Sequence, residues 1–417
     1  RYEVKWCDRS RCLRGLGQFM LWVCLIGSGL AFQSEAAEWV IQPSLSTKGV
    51  YDSNLLLTPR ALPNAYGYWI SPAAEIAGKT ERLDVSSRIA ADFVGHFGGA
   101  EVDRKFTNIF VPLSAQYKTE KDVLGFTGGF TRDNTLLGEL QATGVALDFT
   151  QRNQWAANPT WMRRLTEKLS VQMGGQFSYA TYEGDNPRLV DYRSVGGSGG
   201  VLYQLTERDQ IQLTGSYTDF QTLNSNVSVG ATFPGVILGL THLFHESLKG
   251  TVYGGPKFVS AATEVSNSSV SATQTTVWVA GGSITQQFER AMLQVSIARD
   301  LAPSGFGLLI ESNRAEVTAS YKLTETVTCA LNVVGALTSG KTESANGILF
   351  PDRRYVSVRP AMSWRFHEWW EAEVSYLYRW QDFELSPTQN PATPHTAQSQ
   401  GATFMVTYYP PKLSFSH

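Results

Sequence analysis

From Trp369 to Gln381 the chain reads "WWEAEVSYLYRWQ", and side-chain character switches at every step. One set is Trp370, Ala372, Val374, Tyr376, Tyr378 and Trp380; the other is Glu371, Glu373, Ser375, Leu377, Arg379 and Gln381. An extended strand points successive side chains to opposite faces, so it separates the two sets as no helix can. Trp370 and Trp380 lie ten residues apart. At about 3.3 Å per residue and a tilt near 40°, that places them roughly 25 Å apart along a membrane normal. This is the height of a barrel's apolar band with an aromatic at each border.

The alternation recurs. Leu83, Val85, Ile89 and Phe93 alternate with Asp84, Ser86, Arg88 and Asp92; Leu169, Val171, Met173, Phe177 and Tyr179 alternate with Ser170, Gln172, Gln176 and Ser178. Near the end, Ala402, Phe404, Val406 and Tyr408 alternate with Thr403 and Thr407. Between such runs stand short polar knots, each with a glutamate: Glu81, Glu120, Glu167, Glu207, Glu246, Glu289, Glu325 and Glu368. Their spacing runs from 36 residues (Glu289 to Glu325) to 47 (Glu120 to Glu167). The knots read as tight turns with the glutamates as solvated turn residues, and each interval holds one strand out, a longer loop and one strand back.

Expected loops are 52–65, 259–272, 339–353 and 382–398, rich in Pro, Ser, Asn and Thr. Eight turns with a strand pair on either side predict 18 antiparallel strands, an even number that leaves both termini of the barrel on one side of the membrane. The expected fold is all-β: a transmembrane up-and-down β-barrel with short periplasmic turns and longer extracellular loops. A propeller also repeats near 40 residues, but each blade would need four short strands where this chain offers two long ones.

At the other end, Arg9, Arg11 and Arg14 precede an apolar run from Phe19 to Phe32 and small residues at Ser34 and Ala36. Fourteen residues are too few to span as a helix, and the pattern is that of a cleaved secretory signal over 1–36, leaving 37–417 as one barrel domain. Cys7, Cys12 and Cys24 fall in that leader, so Cys329 alone excludes an internal disulfide or a cysteine metal cluster from the mature chain. The leader holds five of the 35 basic and three of the 37 acidic residues, leaving 30 against 34. That balance gives no reason to expect a nucleic-acid partner.

The stretches "VYDSNLLLTP" and "KTERLDVSSRIAADF", together with the turn and strand cadence, resemble the β-barrel porin 2 family of bacterial outer-membrane proteins, some of them associated with exopolysaccharide systems. The resemblance covers almost the whole mature chain and implies a porin-type barrel in the bacterial outer membrane without a defined cargo. The ending departs from the usual terminal aromatic: "FMVTYY" is followed by "PPKLSFSH", so the last strand ends at Tyr408 or Tyr409, or else Phe415 is its final aromatic.

Motifs with catalytic potential resolve into structural ones. "GGSGG" at Gly196 to Gly200 matches a nucleophile elbow around Ser198, but it sits in a strand-like run with no helix behind it; glycines making room in a crowded wall fit better. His242 and His245 before Glu246 are three apart, which on a strand means opposite faces. His367 repeats that placement beside Glu368, and His96 and His395 lie near outer strand ends without a partner set. No enzyme, metal or cofactor is expected.

Charged residues on inward faces remain: Arg88, Asp92, Arg152, Arg359, Arg365, Glu371, Glu373 and Arg379 as pore lining. Trp370, Tyr376, Tyr378, Trp380, Phe404 and Tyr408 are expected to face lipid. The function expected is a channel for passive or weakly selective passage of small hydrophilic solutes, with an exopolysaccharide export conduit or a structural or adhesive barrel as alternatives. Expected partners are outer-membrane lipid and lipopolysaccharide, the barrel-assembly machinery, further copies of the chain and polysaccharide export machinery.

Overall fold

The computed structural model describes residues 38–60, 63–99, 102–136, 149–184, 189–223, 227–265, 268–307, 309–340, 352–383 and 394–416. The leader over 1–36 therefore lies outside the described residues. In chain order the strands are β1 (Glu38–Asp52), β2 (Ala65–Lys79), β3 (Leu83–Phe97), β4 (Arg104–Lys118), β5 (Asp122–Asn134), β6 (Gln151–Arg164) and β7 (Leu169–Tyr182). They continue as β8 (Tyr192–Gln204), β9 (Asp209–Thr222), β10 (Val227–Thr232), β11 (Gly235–His245), β12 (Leu248–Val265), β13 (Ser268–Gln287) and β14 (Ala291–Pro303). The last six are β15 (Leu309–Lys322), β16 (Val327–Gly340), β17 (Arg353–His367), β18 (Trp370–Phe383), β19 (Thr396–Tyr408) and β20 (Leu413–Ser416).

These segments form 18 barrel strands. The short β10 and the following β11 pair with the same two neighbours, β9 and β12, and form one strand interrupted at Phe233 and Pro234. Proline cannot donate to a ladder, which is why the break falls there. Closure comes from β1: Leu45 to Asp52 pair antiparallel with Tyr408 to Gly401 of β19, and Glu38 to Ile41 pair with Ser416 to Leu413 of β20. Between these stretches Pro410 and Pro411 interrupt the last strand, and the Gln42 side chain donates to the Pro410 carbonyl at 2.8 Å in place of a ladder bond. The chain's final strand thus stops at Tyr408 and resumes, with Phe415 opposite Trp39.

All eight glutamates fall in the tight turns, at one end of the barrel, and all are exposed. In five of the turns the work is done by the preceding threonine: Thr80, Thr119, Thr166, Thr206 and Thr324 each accept a backbone N–H three residues on, at 2.9 to 3.0 Å. Side-chain oxygens of this kind close a turn locally.

The two faces separate as the period of two requires. Trp370 and Phe404 stand on the outer face, 39% and 56% exposed, with the Trp370 ring 4.8 Å from that of Tyr408. Tyr376 shares that face, as do Tyr378 and Trp380 two and four positions on. Ser375, Arg379 and Gln381, at the alternate positions, are buried. No helix among the described residues is long and apolar enough to cross a membrane.

One expected loop is corrected. Residues 259–272, read as polar loop, continue β12 to Val265 and open β13 at Ser268, pairing from Val259 opposite Thr275 up to Val265 opposite Ser268. The run of Val, Thr and Ala there suits a strand, and a serine-rich composition does not forbid one once a partner supplies the ladder bonds. The loops expected over 339–353 and 382–398 yield Gly340, Arg353, Phe383 and Thr396 to strands, while 341–351 and 384–393 lie outside the described residues.

Candidate functional site: the lumen and its loop end

Inside the barrel, acid and base meet on neighbouring strands. Arg359 reaches Glu373 at 3.2 Å and Arg365 reaches Glu371 at 3.3 Å, both across the β17–β18 hairpin, and Arg88 on β3 reaches Glu75 on β2 at 3.5 Å. Lys48 on β1 lies in electrostatic reach of Asp92, Arg359 and Glu373, with its ammonium 4.2 Å from the Trp69 ring centroid. Further round the wall, Arg314 pairs with Glu316 at 3.2 Å and Lys257 with Asp300 at 2.7 Å. An Arg beside a Glu on adjacent strands is the sheet's version of a charge pair, and in an aqueous lumen such pairs are weak but set the local potential.

Every inward residue expected from sequence is thus found beside a partner, apart from Asp92, which faces Lys48 through space. Glu75, Lys48, Arg314, Glu316, Lys257 and Asp300 were missed. On β2 the inward positions Trp69, Ser71, Ala73 and Glu75 alternate with outward Ile70, Pro72, Ala74 and Ile76, so over this stretch one carboxylate alone carries charge on the inner face.

Arg152 and Arg379 differ from the rest because water reaches them least, their side chains being 11% and 8% exposed. Arg152 makes a two-pronged contact with Asp133, Nε to Oδ1 at 2.9 Å and Nη2 to Oδ2 at 2.7 Å. Arg379 donates to Asp52 Oδ2 at 2.6 Å and to the carbonyls of Asn54 and Leu55, each at 3.3 Å. Ser399 donates to the other Asp52 oxygen at 2.5 Å, and Gln381 donates to the Leu57 carbonyl.

These contacts hold the β1–β2 loop against the wall formed by β18 and β19. Leu55 and Leu56 pack in a buried cluster with Ala65, Val102, Leu136 and the partly buried Phe149, so this loop, the β3–β4 loop and the β5–β6 loop share one small core. Leu57 is fully buried with φ +52°, a left-handed conformation unusual for a branched side chain and maintained here by burial and the Gln381 bond.

A second segment folds in from the opposite wall. Leu301 and Leu309, flanking the β14–β15 tip, pack on Tyr192, Phe220, Val259 and Val277 of the inner surface. The Gly305 carbonyl at the tip accepts Val190 N–H from the β7–β8 loop at 2.8 Å. Sequence reading took the loop over 52–65 as polar; its Leu55 and Leu56 are apolar because they pack against the β3–β4 and β5–β6 loops, and Phe306 at the β14–β15 tip packs with Ile310 and Leu189.

Ser198 stands on the inner face of β8, and a side chain at Gly196 or Gly200 would press on β9, its Cβ 2.8 Å from the Tyr217 carbonyl or 2.6 Å from that of Leu213. His242 contacts Asp209 at 2.6 Å and His245 contacts Ser247 at 3.3 Å, so the two do not converge. His367 accepts the Trp369 N–H at 3.3 Å and His395 contacts Asp382 at 2.7 Å. His96 is buried between Trp69 and Phe106.

A closed antiparallel cylinder of 18 strands, apolar outside and charged inside, is a transmembrane β-barrel. No family model matches the chain, so membership of the β-barrel porin 2 family is not established, and no curated protein matches it. Among solved structures it is similar to the ferric citrate transporter FecA in the unliganded form, at 6% identity and a TM-score of 0.47 over 88% of this chain and 78% of that one. It is also similar to Pseudomonas aeruginosa OccK2 (OpdF) in complex with glucuronate, at 8% identity and 0.45 over 90% and 98%. A third is Pseudomonas aeruginosa OccD3 (OpdP), at 9% identity and 0.42 over 88% and 91%.

Proposed function

We propose that this protein is a channel of the bacterial outer membrane for small hydrophilic solutes, weakly selective and narrowed at its outer mouth by the β1–β2 and β14–β15 loops. The observation that carries this reading is the inner wall around Lys48, Asp92, Arg359 and Glu373: charged groups of both signs on the inner face of an 18-stranded cylinder, a size that can enclose water. Charges placed on an inner wall and paired at 3.2 to 3.5 Å are suited to solvated solutes of either sign. Turns then face the periplasm and the long loops face outside, the usual sense for an exported barrel.

Purified protein in a planar lipid bilayer tests this directly. Stable conductance steps with a cation-to-anion permeability ratio near unity are expected. A preparation that is folded, inserted and electrically silent would overturn the channel.

A further inference from the structure

On the outer wall between β13 and β17 small side chains interrupt the large ones, with Ile297 and Leu337 standing exposed among them. There Gly282, Ala315 and Gly335 come into line through the pairings of Gly282 with Ile297, Ile297 with Ala315, and Ala315 with Gly335. Val356 and Trp380 form the far bank, and the result is an apolar groove of about 740 Å³ on the outer wall. A Cβ built on Gly335 meets nothing within 4 Å, so the missing side chain leaves open space and is not needed for strand packing.

One row nearer the loop end stand Arg299 and Arg354, both on the groove's margin. Arg299 is held by Glu311 at 3.0 Å and stays 45% exposed. Arg354 has no hydrogen bond or ion pair among the described residues, although Asp382 stands opposite it in the register. Asp382 pairs instead through Oδ1 with His395 at 2.7 Å. Three strand steps of about 4.8 Å separate β14 from β17, so the backbones at Arg299 and Arg354, aligned through Asn313 and Leu337, stand roughly 14 Å apart along the rim.

From these features we infer that the groove is a docking site for lipopolysaccharide, an acyl chain lying in the trough and the lipid A phosphates meeting Arg354 and Arg299. A cation beside hydrocarbon at a membrane border is matched by a lipid phosphate, and a planar guanidinium by its paired oxygens. A phospholipid with one phosphate would engage one arginine. A glycolipid phosphorylated at both ends of its disaccharide engages two cations held apart on a rigid wall. This assignment rests on the outer-membrane orientation proposed above, in which the loop end meets the outer leaflet.

The test is native mass spectrometry of the full barrel in mild detergent with diphosphorylated lipid A, dephosphorylated lipid A or phosphatidylglycerol added. One retained diphosphorylated lipid A is expected. Arg354→Ala should weaken retention about fivefold, the worth of one arginine at a charged lipid surface. Gly335→Leu, which fills the trough without touching charge, should weaken it comparably. Arg193→Ala is the control, since Arg193 is an exposed cation on the β8 wall bonded to Gln221 at 2.7 Å, and it should change nothing. Heat-modifiable mobility on a gel establishes that each variant is folded. Equal retention of phosphatidylglycerol, an equal loss in the Arg193 variant, or a protein dimer that Gly335→Leu dissociates would overturn the docking site. Conductance of the same samples separates the two readings: a conducting barrel that ignores lipid A overturns the docking alone, and a silent barrel that retains it overturns the channel alone.

Discussion

Arg379 and Asp52 are 327 residues apart in sequence and 2.6 Å apart in space, both side chains under 10% exposed. Asp52 is the last residue of β1 and Arg379 lies deep in β18, so their contact fastens the first outer loop to the wall two strands behind it. Removing one member of a buried pair strands the other's charge, at a cost of about 3–5 kcal/mol. Arg379→Ala should therefore release the loop over 53–60 while leaving the ladder intact. Proteolysis within that loop and a larger single-channel conductance are the expected readouts; an unchanged conductance with a cleavable loop would show that the loop does not narrow the path.

The charge pairs facing water make a different prediction. Arg359→Ala together with Arg365→Ala leaves Glu373 and Glu371 without their cations, so the lumen should shift toward cations. The reversal potential across a salt gradient measures this. Because exposed charges are screened over about 10 Å at 0.1 M and 3 Å at 1 M, the shift should shrink as salt rises.

Val374 and Phe404 are opposite each other in the register, near the middle of the span between Trp370 and Trp380. Val374→Arg should destabilise folding into vesicles by about 2–4 kcal/mol, the usual cost of a cation on the lipid face at mid-depth. Ser198→Arg, at mid-strand on the exposed inner face of β8, should cost less because its charge can reach the lumen. Equal costs would contradict the assignment of faces.

The turns allow a clean separation of structure from decoration. Thr166 Oγ1 accepts the Leu169 N–H at 3.0 Å, so Thr166→Ala should lower stability by about 1 kcal/mol. Glu167 is exposed, and Glu167→Ala should stay within about 0.5 kcal/mol of the parent. Urea unfolding in lipid vesicles measures both.

The eight glutamates were legible in sequence as markers of turns because they are local: each sits within a few residues of two strand ends, and five of them directly follow the threonine that closes the turn. The strand count and the two faces were legible for the same reason, since a period of two is imposed by backbone geometry wherever one side meets hydrocarbon and the other water. That logic fails where both sides are apolar. Trp69 and His96 point inward yet are buried, because folded loops have taken the place of water above them, and no pattern within β2 or β3 announces it.

Alternation and turn chemistry, written along the chain, settled that this sequence closes as 18 strands and which side chains point in or out. Whether the outer mouth stands open was decided only in three dimensions. The residues that fold the loops inward, Leu57 against Gln381 and Gly305 against Val190, come from distant strands that closure of the cylinder brings together. A buried hydrogen bond between such residues depends on the barrel's circumference and shear, quantities that belong to the assembled sheet and to none of its strands.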